Sequence, residues 1–192
     1  MRPLILASSS AYRHALLSRL GLPFQAEAPD VDERRESGET PSTLVTRLAE
    51  TKARALAKRY PNHLIIGSDQ VAVLGDQVLG KPGGFEKALE QLTAASGRVV
   101  TFLTGLALLD SHSGQCQVDV VPFTVHMRQL PENVLARYLR AEQPYDCAGS
   151  FKAEGLGVSL FERTEGADAT SLVGLPLIRL VGMLGAAGIA VP

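Results

Sequence analysis

An α/β protein built on a mixed, twisted sheet with flanking helices is what this sequence predicts, and three observations carry the prediction. Short charge-free apolar runs, residues 4–7 and 64–66, are the length of buried strands. Segments with helical periodicity lie between such runs. Two long strand-like stretches, 99–109 and 117–127, follow one another across a polar turn at 111–114, which favours a mixed over a purely parallel sheet. At 192 residues the chain can bury one sizeable core, so the expectation is a single domain over 1–192 with two lobes.

The elements are expected in the following order. Residues 3–7 form a strand, the hydroxyl-rich turn Ser8, Ser9, Ser10 follows, and a helix runs over 11–20 until Gly21 and Pro23 close it. Residues 24–28 make a second strand, and 29–39 are too polar to be anything but a loop. A long helix occupies 41–60, ended by Pro61. Strand 63–67 ends at Ser68, Asp69 and Gln70, and 71–79 folds back around Gly75 and Asp76 as a hairpin. Gly80, Lys81 and Pro82 form a turn before a helix at 85–95. Another helix, opened by Pro131, covers about 130–141. Glycine-punctuated residues 147–157 lead into a strand at 158–161, and 177–187 closes the chain as a buried helix.

Several functions are excluded by the totals. Nineteen Lys and Arg against twenty Asp and Glu give a net charge of −1, which leaves no basic excess for long nucleic acid. Cys116 and Cys147 are too few for a disulfide framework, and the four histidines show no zinc spacing, so a reducing cytoplasm is the expectation. The run at 4–7 is shorter than the core of an export signal, making Met1 the expected start of the folded protein. Residues 172–191 are apolar, but Pro176, Arg179 and four glycines argue against a membrane span.

A few residues break the structural pattern. Arg13 falls within the apolar sector of the first helix and in its first turn, where the helix dipole disfavours a cation unless an anion is nearby. With the hydroxyls of Ser8, Ser9 and Ser10 and free helix amides beside it, a phosphate site is one reading; a serine cap with a snorkelling arginine is the other. Lys52 lies in the middle of the inward stripe of the second helix and needs a partner, whether a carboxylate or a phosphate. Asp69 closes a buried strand, the position at which α/β sheets bind ligands, although Asp also caps ordinary turns. Lys81 beside Pro82, taken in isolation, reads as a hairpin lysine in solvent before it reads as a site residue. Asp30, Asp32 and Glu33 give the long loop an acidic face that either is solvated or, with Asp69, holds a divalent cation.

Read together these residues resemble the Maf family over essentially the whole chain. Six segments occur in family order: Leu6 to Arg13, Val31-Asp32-Glu33, Arg47 to Ala53, Gly67 to Val71, Gly80-Lys81-Pro82, and Val173-Gly174-Leu175-Pro176. Ala11 stands where many members have proline, which removes a preorganised first helical residue but no reactive group.

The resemblance implies a fold of the Maf and inosine triphosphatase kind, with two lobes around a central cleft. It implies cleavage of a nucleoside triphosphate between its α and β phosphates, with Asp69 as proton acceptor, Lys52 and Lys81 as catalytic cations, and Ser8, Ser9, Ser10 and Arg13 around the phosphates. A divalent cation, Mg²⁺ or Mn²⁺, is implied on Glu33 and Asp69. Positive groups suit this chemistry, since charge accumulates on phosphate oxygens during transfer. Tyr12, Gln70 and Glu154 align with positions that separate substrate subfamilies, and the set resembles the 7-methyl-GTP pyrophosphatases rather than the dTTP and UTP type. The N7-methyl charge favours an aromatic ring, and Glu154 can accept from the guanine N1 and N2 groups. A nucleotide-binding regulator of cell division is the alternative from another class. A small nucleotide as partner and a homodimer complete what the resemblance implies.

Overall fold

The computed structural model describes residues 2–191; Met1, expected to begin the folded protein, and Pro192 lie outside the described residues. The elements are β1 (Leu4–Ala7), α1 (Ala11–Ser18), β2 (Phe24–Glu27), α2 (Pro41–Ala55), β3 (Leu64–Leu74), β4 (Gln77–Leu79), α3 (Phe85–Ala95), β5 (Val99–Asp110), β6 (Cys116–Met127), α4 (Glu132–Glu142), β7 (Phe161–Glu165), α5 (Ala169–Val173) and α6 (Leu177–Ala186). The strands hydrogen-bond in the order β2-β1-β3-β5-β6-β7, with β4 on β3. β1 runs parallel to β2 and β3, whereas β3 with β4 and β6 with β7 are antiparallel, so the sheet is mixed as the sequence predicts.

The chain forms two compact units. One comprises the residues up to Asp69, Thr104–Val121 and those from Asp168 onward; the other comprises Gln70–Leu103 and Pro122–Ala167. In the second unit Phe102, Phe151 and Phe161 stack edge to face at centroid separations of 5.2 and 4.9 Å. The β3–β4 hairpin turns at Gly75, whose φ of +60° is one that glycine adopts without a Cβ penalty.

Several elements differ from expectation. α2 stops at Ala55, not Tyr60, because the next amides close tight turns, Leu56 N to Ala53 O and Ala57 N to Arg54 O. There Arg59 and Tyr60 are drawn onto the Glu27 carboxylate. β3 does not end at Gly67 but continues to Leu74, which places Asp69 inside a strand rather than at its tip. Even so, the pairing of β1 with β3 ends at Ile66, so Asp69 lies beyond the carboxyl end of its parallel neighbour. Residues 158–160 are 3₁₀ turn, and the strand expected there starts at Phe161. α5 was absent from the expectation, and α6 buries one face only: Leu180 and Leu184 are inside, Ile178 is outside, and Arg179 pairs with Asp119 at 2.5 Å. Among the described residues no helix is long and apolar enough to cross a membrane.

Strand alternation sorts the core of the first unit into two unlike faces. Leu4, Leu6, Leu64, Ile66, Leu106 and Leu108 pack with α1 and α6 residues such as Leu16, Leu17, Leu180 and Leu184. The opposite face meets α2 and mixes Ile5, Ile65 and Leu109 with small residues, Ala7 and Ala107 against Ala49 and Ala53. Two strand positions on this face are glycine. A Cβ on Gly67 would overlap the carbonyl oxygen of Ala49, and one on Gly105 would overlap that of Val45. The α2 backbone thus lies directly on β3 and β5, closer than any side chain would allow. Because both obstacles are backbone, Gly67→Ala cannot be accommodated by a rotamer change. We expect it to cost roughly 3 kcal/mol, read as a melting temperature lowered by about 6 to 12 °C; a shift under 2 °C would disprove the close contact.

Candidate active site

The close approach of α2 brings Lys52 to β3. Thr40 caps the helix by accepting the Thr43 amide, Pro41 occupies its first turn, and Leu44, Val45, Leu48, Ala49 and Ala53 fix the inward face on which Lys52 also lies. Gly67 and Asp69, two residues apart, share the β3 face that meets this helix. Lys52 Nζ lies 2.6 Å from Asp69 Oδ1 and 2.7 Å from Glu33 Oε1. The lysine and aspartate side chains are only 8% and 11% exposed, whereas that of Glu33 is 61% exposed and comes in from the loop. Of the three acids in that loop, Glu33 is the one carried to Lys52; Asp32 is instead engaged by Arg34 at 2.6 Å. An ammonium has three donors, so two are occupied here and one remains for a further oxygen.

Arg13 borders this trio. Ser10 caps α1 by accepting the Arg13 amide, and Ser8 Oγ accepts the Ser10 amide, so the serine turn is internally bonded. Ser8 is buried and Ser9 exposed. The guanidinium does not snorkel: its Nε donates to Gly174 O at 2.8 Å, leaving the terminal nitrogens without a hydrogen-bonded partner among the described residues. Burial lowers the Arg13 pKa, and the negative charges of Asp69 and Glu33 oppose that shift. The same Gly174 carbonyl lies 2.9 Å from Ser68 Oγ, which is also 2.8 Å from Gly105 O, so one hydroxyl proton is shared between two acceptors. Gly174 adopts φ +111° and ends α5, a conformation that turns its carbonyl back toward Arg13. The sequence assigns no role to Gly174; a glycine two residues before Pro176 is the local signal for a helix end there.

The remaining expected residues belong to the second unit, apart from Tyr12, which is half-buried on α1 outside the apolar core. Gln70 follows Asp69 along β3 and is half-buried. Lys81 is exposed and makes no ion pair among the described residues, but its flanks are fixed: Gln91 Nε2 donates to Gly80 O at 3.3 Å, Pro82 is buried, and the Gly83 amide reaches Tyr145 O at 3.0 Å. Glu154 stands exposed at the tip of a loop closed by the Gly155 and Gly157 amides on Lys152 O. The Leu156 amide, donating to Glu142 Oε2 at 2.6 Å, secures the same loop.

No group of three or more His, Cys, Asp or Glu residues suited to a metal occurs among the described residues. Glu33 and Asp69 nevertheless converge on one cation, Lys52. Two hard carboxylates are donors of the kind that hold Mg²⁺ when its remaining positions are filled by water or ligand oxygens, so the donor set suits an open cation site rather than a closed protein cage.

Ion-pair trios of this kind also occur as purely structural networks. The profile described as Maf-like protein matches residues 3–187. The chain belongs to the Maf family. Relatives similar over their entire length include proteins named 7-methyl-GTP pyrophosphatase from Pseudomonas syringae pv. tomato, 70% identical, and Pseudomonas aeruginosa, 64% identical, each covering 100% of both chains. Among solved structures, a HAM1 protein from Coxiella burnetii covers 97% of this chain and 100% of its own at TM-score 0.53 and 16% identity, a likeness of fold alone. Within this family member, Lys52→Met is expected to destabilise by roughly 3 kcal/mol, because it leaves the buried Asp69 carboxylate without its counterion. Adding Asp69→Asn should restore part of that loss in a urea melt; an additive result would show that the pair is not coupled.

Proposed function

We propose that this protein hydrolyses 7-methyl-GTP to 7-methyl-GMP and pyrophosphate. The observation that carries the reading is the buried Lys52–Asp69 pair, joined by Glu33 and bordered by Arg13, in a Maf chain 70% identical to a relative with that name. A nucleotide-binding regulator needs cations for phosphate but no buried carboxylate held among them.

In the reaction a water oxygen bonds to the α-phosphorus, the bond from that phosphorus to the bridging oxygen breaks, and its electron pair leaves with pyrophosphate. Asp69 accepts the water proton, with Lys52 fixing the orientation of its carboxylate. The terminal nitrogens of Arg13 and the third proton of Lys52 bind phosphate oxygens, as do the serine turn of Ser8, Ser9 and Ser10 and, by resemblance, Lys81. Glu33 and Asp69 are the residues that would hold Mg²⁺ or Mn²⁺, which neutralises triphosphate charge and polarises the phosphoryl group when bound. Tyr12, Gln70 and Glu154 carry base preference on the family resemblance, the tyrosine by stacking on the cationic methylated ring and the glutamate by accepting from guanine. Cytoplasmic location rests on the small cysteine content, and a homodimer, testable by sedimentation, on the family resemblance.

Four measurements test these assignments. With purified protein, 7-methyl-GTP should be cleaved with higher kcat/KM than GTP, dTTP or UTP; equal or better turnover of dTTP or UTP would reject the base assignment. Tyr12→Ala should reduce the preference for 7-methyl-GTP over GTP by about 2- to 30-fold, the range of a cation–π contact of about 0.5 to 2 kcal/mol. Asp69→Asn should fold and lose nearly all hydrolysis, and near-native activity would remove it as proton acceptor. EDTA should stop turnover without altering the thermal melt, whereas unchanged turnover in chelator would discard the metal.

A further inference from the structure

Glu33 poses a positioning problem. Its carboxylate meets Lys52 at 2.7 Å although its side chain is 61% exposed and its loop, residues 28–40, contains no helix or strand. A mobile exposed glutamate would spend little time at one ammonium. We propose that Arg47 is a positioning residue, which through Glu39 and the Arg34 carbonyl holds the acidic loop so that Glu33 stays on Lys52.

The geometry is a fork. Arg47 Nε donates to Glu39 Oε1 at 2.7 Å and Nη2 to Glu39 Oε2 at 2.9 Å, a bidentate pair in which the glutamate side chain is 7% exposed. Nη2 also donates to the carbonyl of Arg34 at 3.1 Å, on the residue next to Glu33. Glu39 passes the constraint back along the loop, because its Oε2 accepts the Glu36 amide at 3.0 Å and its carbonyl accepts Arg35 Nε at 2.8 Å. The hydrogen bonds from Arg47 hold the Glu39 carboxyl down at about 2, so the fork stays fully charged at neutral pH.

Arg47 and Lys52 stand on the same rigid helix, five residues and about 7.5 Å of rise apart. α2 therefore sets both the point at which the loop is gripped and the point at which Glu33 is received. Lysine cannot replace Arg47, since one ammonium does not span both carboxylate oxygens and the Arg34 carbonyl.

The inference rests on the role given to Glu33 in the proposed reaction, and its test separates the two. Hydrogen exchange would be followed on the full-length protein for Arg47→Met and, should that variant fold poorly, for Glu39→Gln. Amides of residues 31–36 should exchange at least tenfold faster while those of α2 and β3 do not; unchanged exchange in the loop overturns the clamp whatever the activity. In parallel, kcat for 7-methyl-GTP hydrolysis should fall on the order of 10- to 100-fold in Arg47→Met, the scale of losses from a misplaced catalytic group. The double variant Arg47→Met with Glu33→Gln should be no worse than Glu33→Gln alone. Losses that multiply in the double variant would overturn the inference, because Arg47 would then act independently of Glu33. Faster loop exchange together with full activity in Glu33→Gln would keep the clamp and dismiss the catalytic role of Glu33.

Discussion

Backbone contact between α2 and the strands beneath it is the constraint on which the site depends. Large residues fill the opposite face of the same strands, so the helix could have been held off by a layer of leucines there too. Instead Gly67 and Gly105 remove the side chains that would separate it from β3 and β5. With the helix lowered, the lysine stem crosses the remaining gap and its ammonium arrives at Asp69 while staying almost wholly buried. A helix one methyl group higher would leave the buried carboxylate without its partner, a cost of several kcal/mol in a protein whose total stability is on the order of 10 kcal/mol.

A second set of contacts works by the same logic with polar groups. Gly174 ends α5 in a left-handed conformation, and its carbonyl gathers Arg13 from α1 and Ser68 from β3. Asp168 supports that turn: its carboxylate accepts the Thr170 amide at 2.9 Å and the Ile178 amide at 2.8 Å, tying the starts of α5 and α6 together. Thr170 Oγ1 accepts the Leu177 amide at 2.8 Å, and Thr104 Oγ1 donates to Ser171 O at 2.9 Å. Every one of these buried groups is satisfied within the fold, so Arg13 is aimed by a preformed frame and spends only its Nε on being held.

The charges of the site are balanced before any nucleotide is present. Arg13 and Lys52 face Asp69 and Glu33, two of each sign, which explains how four ionisable groups coexist at or near a buried strand. The balance also shapes what can bind. A triphosphate would add negative charge to this neutral set, and a divalent cation bound with it would offset part of that charge, in keeping with carboxylates that converge without forming a metal cage of their own.

The sequence by itself determined the mixed α/β class, nearly all the helices, and the unusual positions of Arg13, Lys52 and Asp69, because alternation and helical period are local properties and a charge on an apolar stripe stands out against them. Glu33 was legible only through family resemblance, since one acid among Asp30, Asp32 and Glu33 looks like any solvated loop. Which acid reaches Lys52, that Asp69 stands within β3 rather than at its end, and that Arg47 and Gly174 hold the site in place were decided by the tertiary structure alone. Each depends on distances between segments far apart in the chain: Arg13 meets a carbonyl 161 residues away and Lys52 a carboxylate 17 residues away. Local patterning records which face a side chain is on; it carries no information about which distant backbone will be packed against that face.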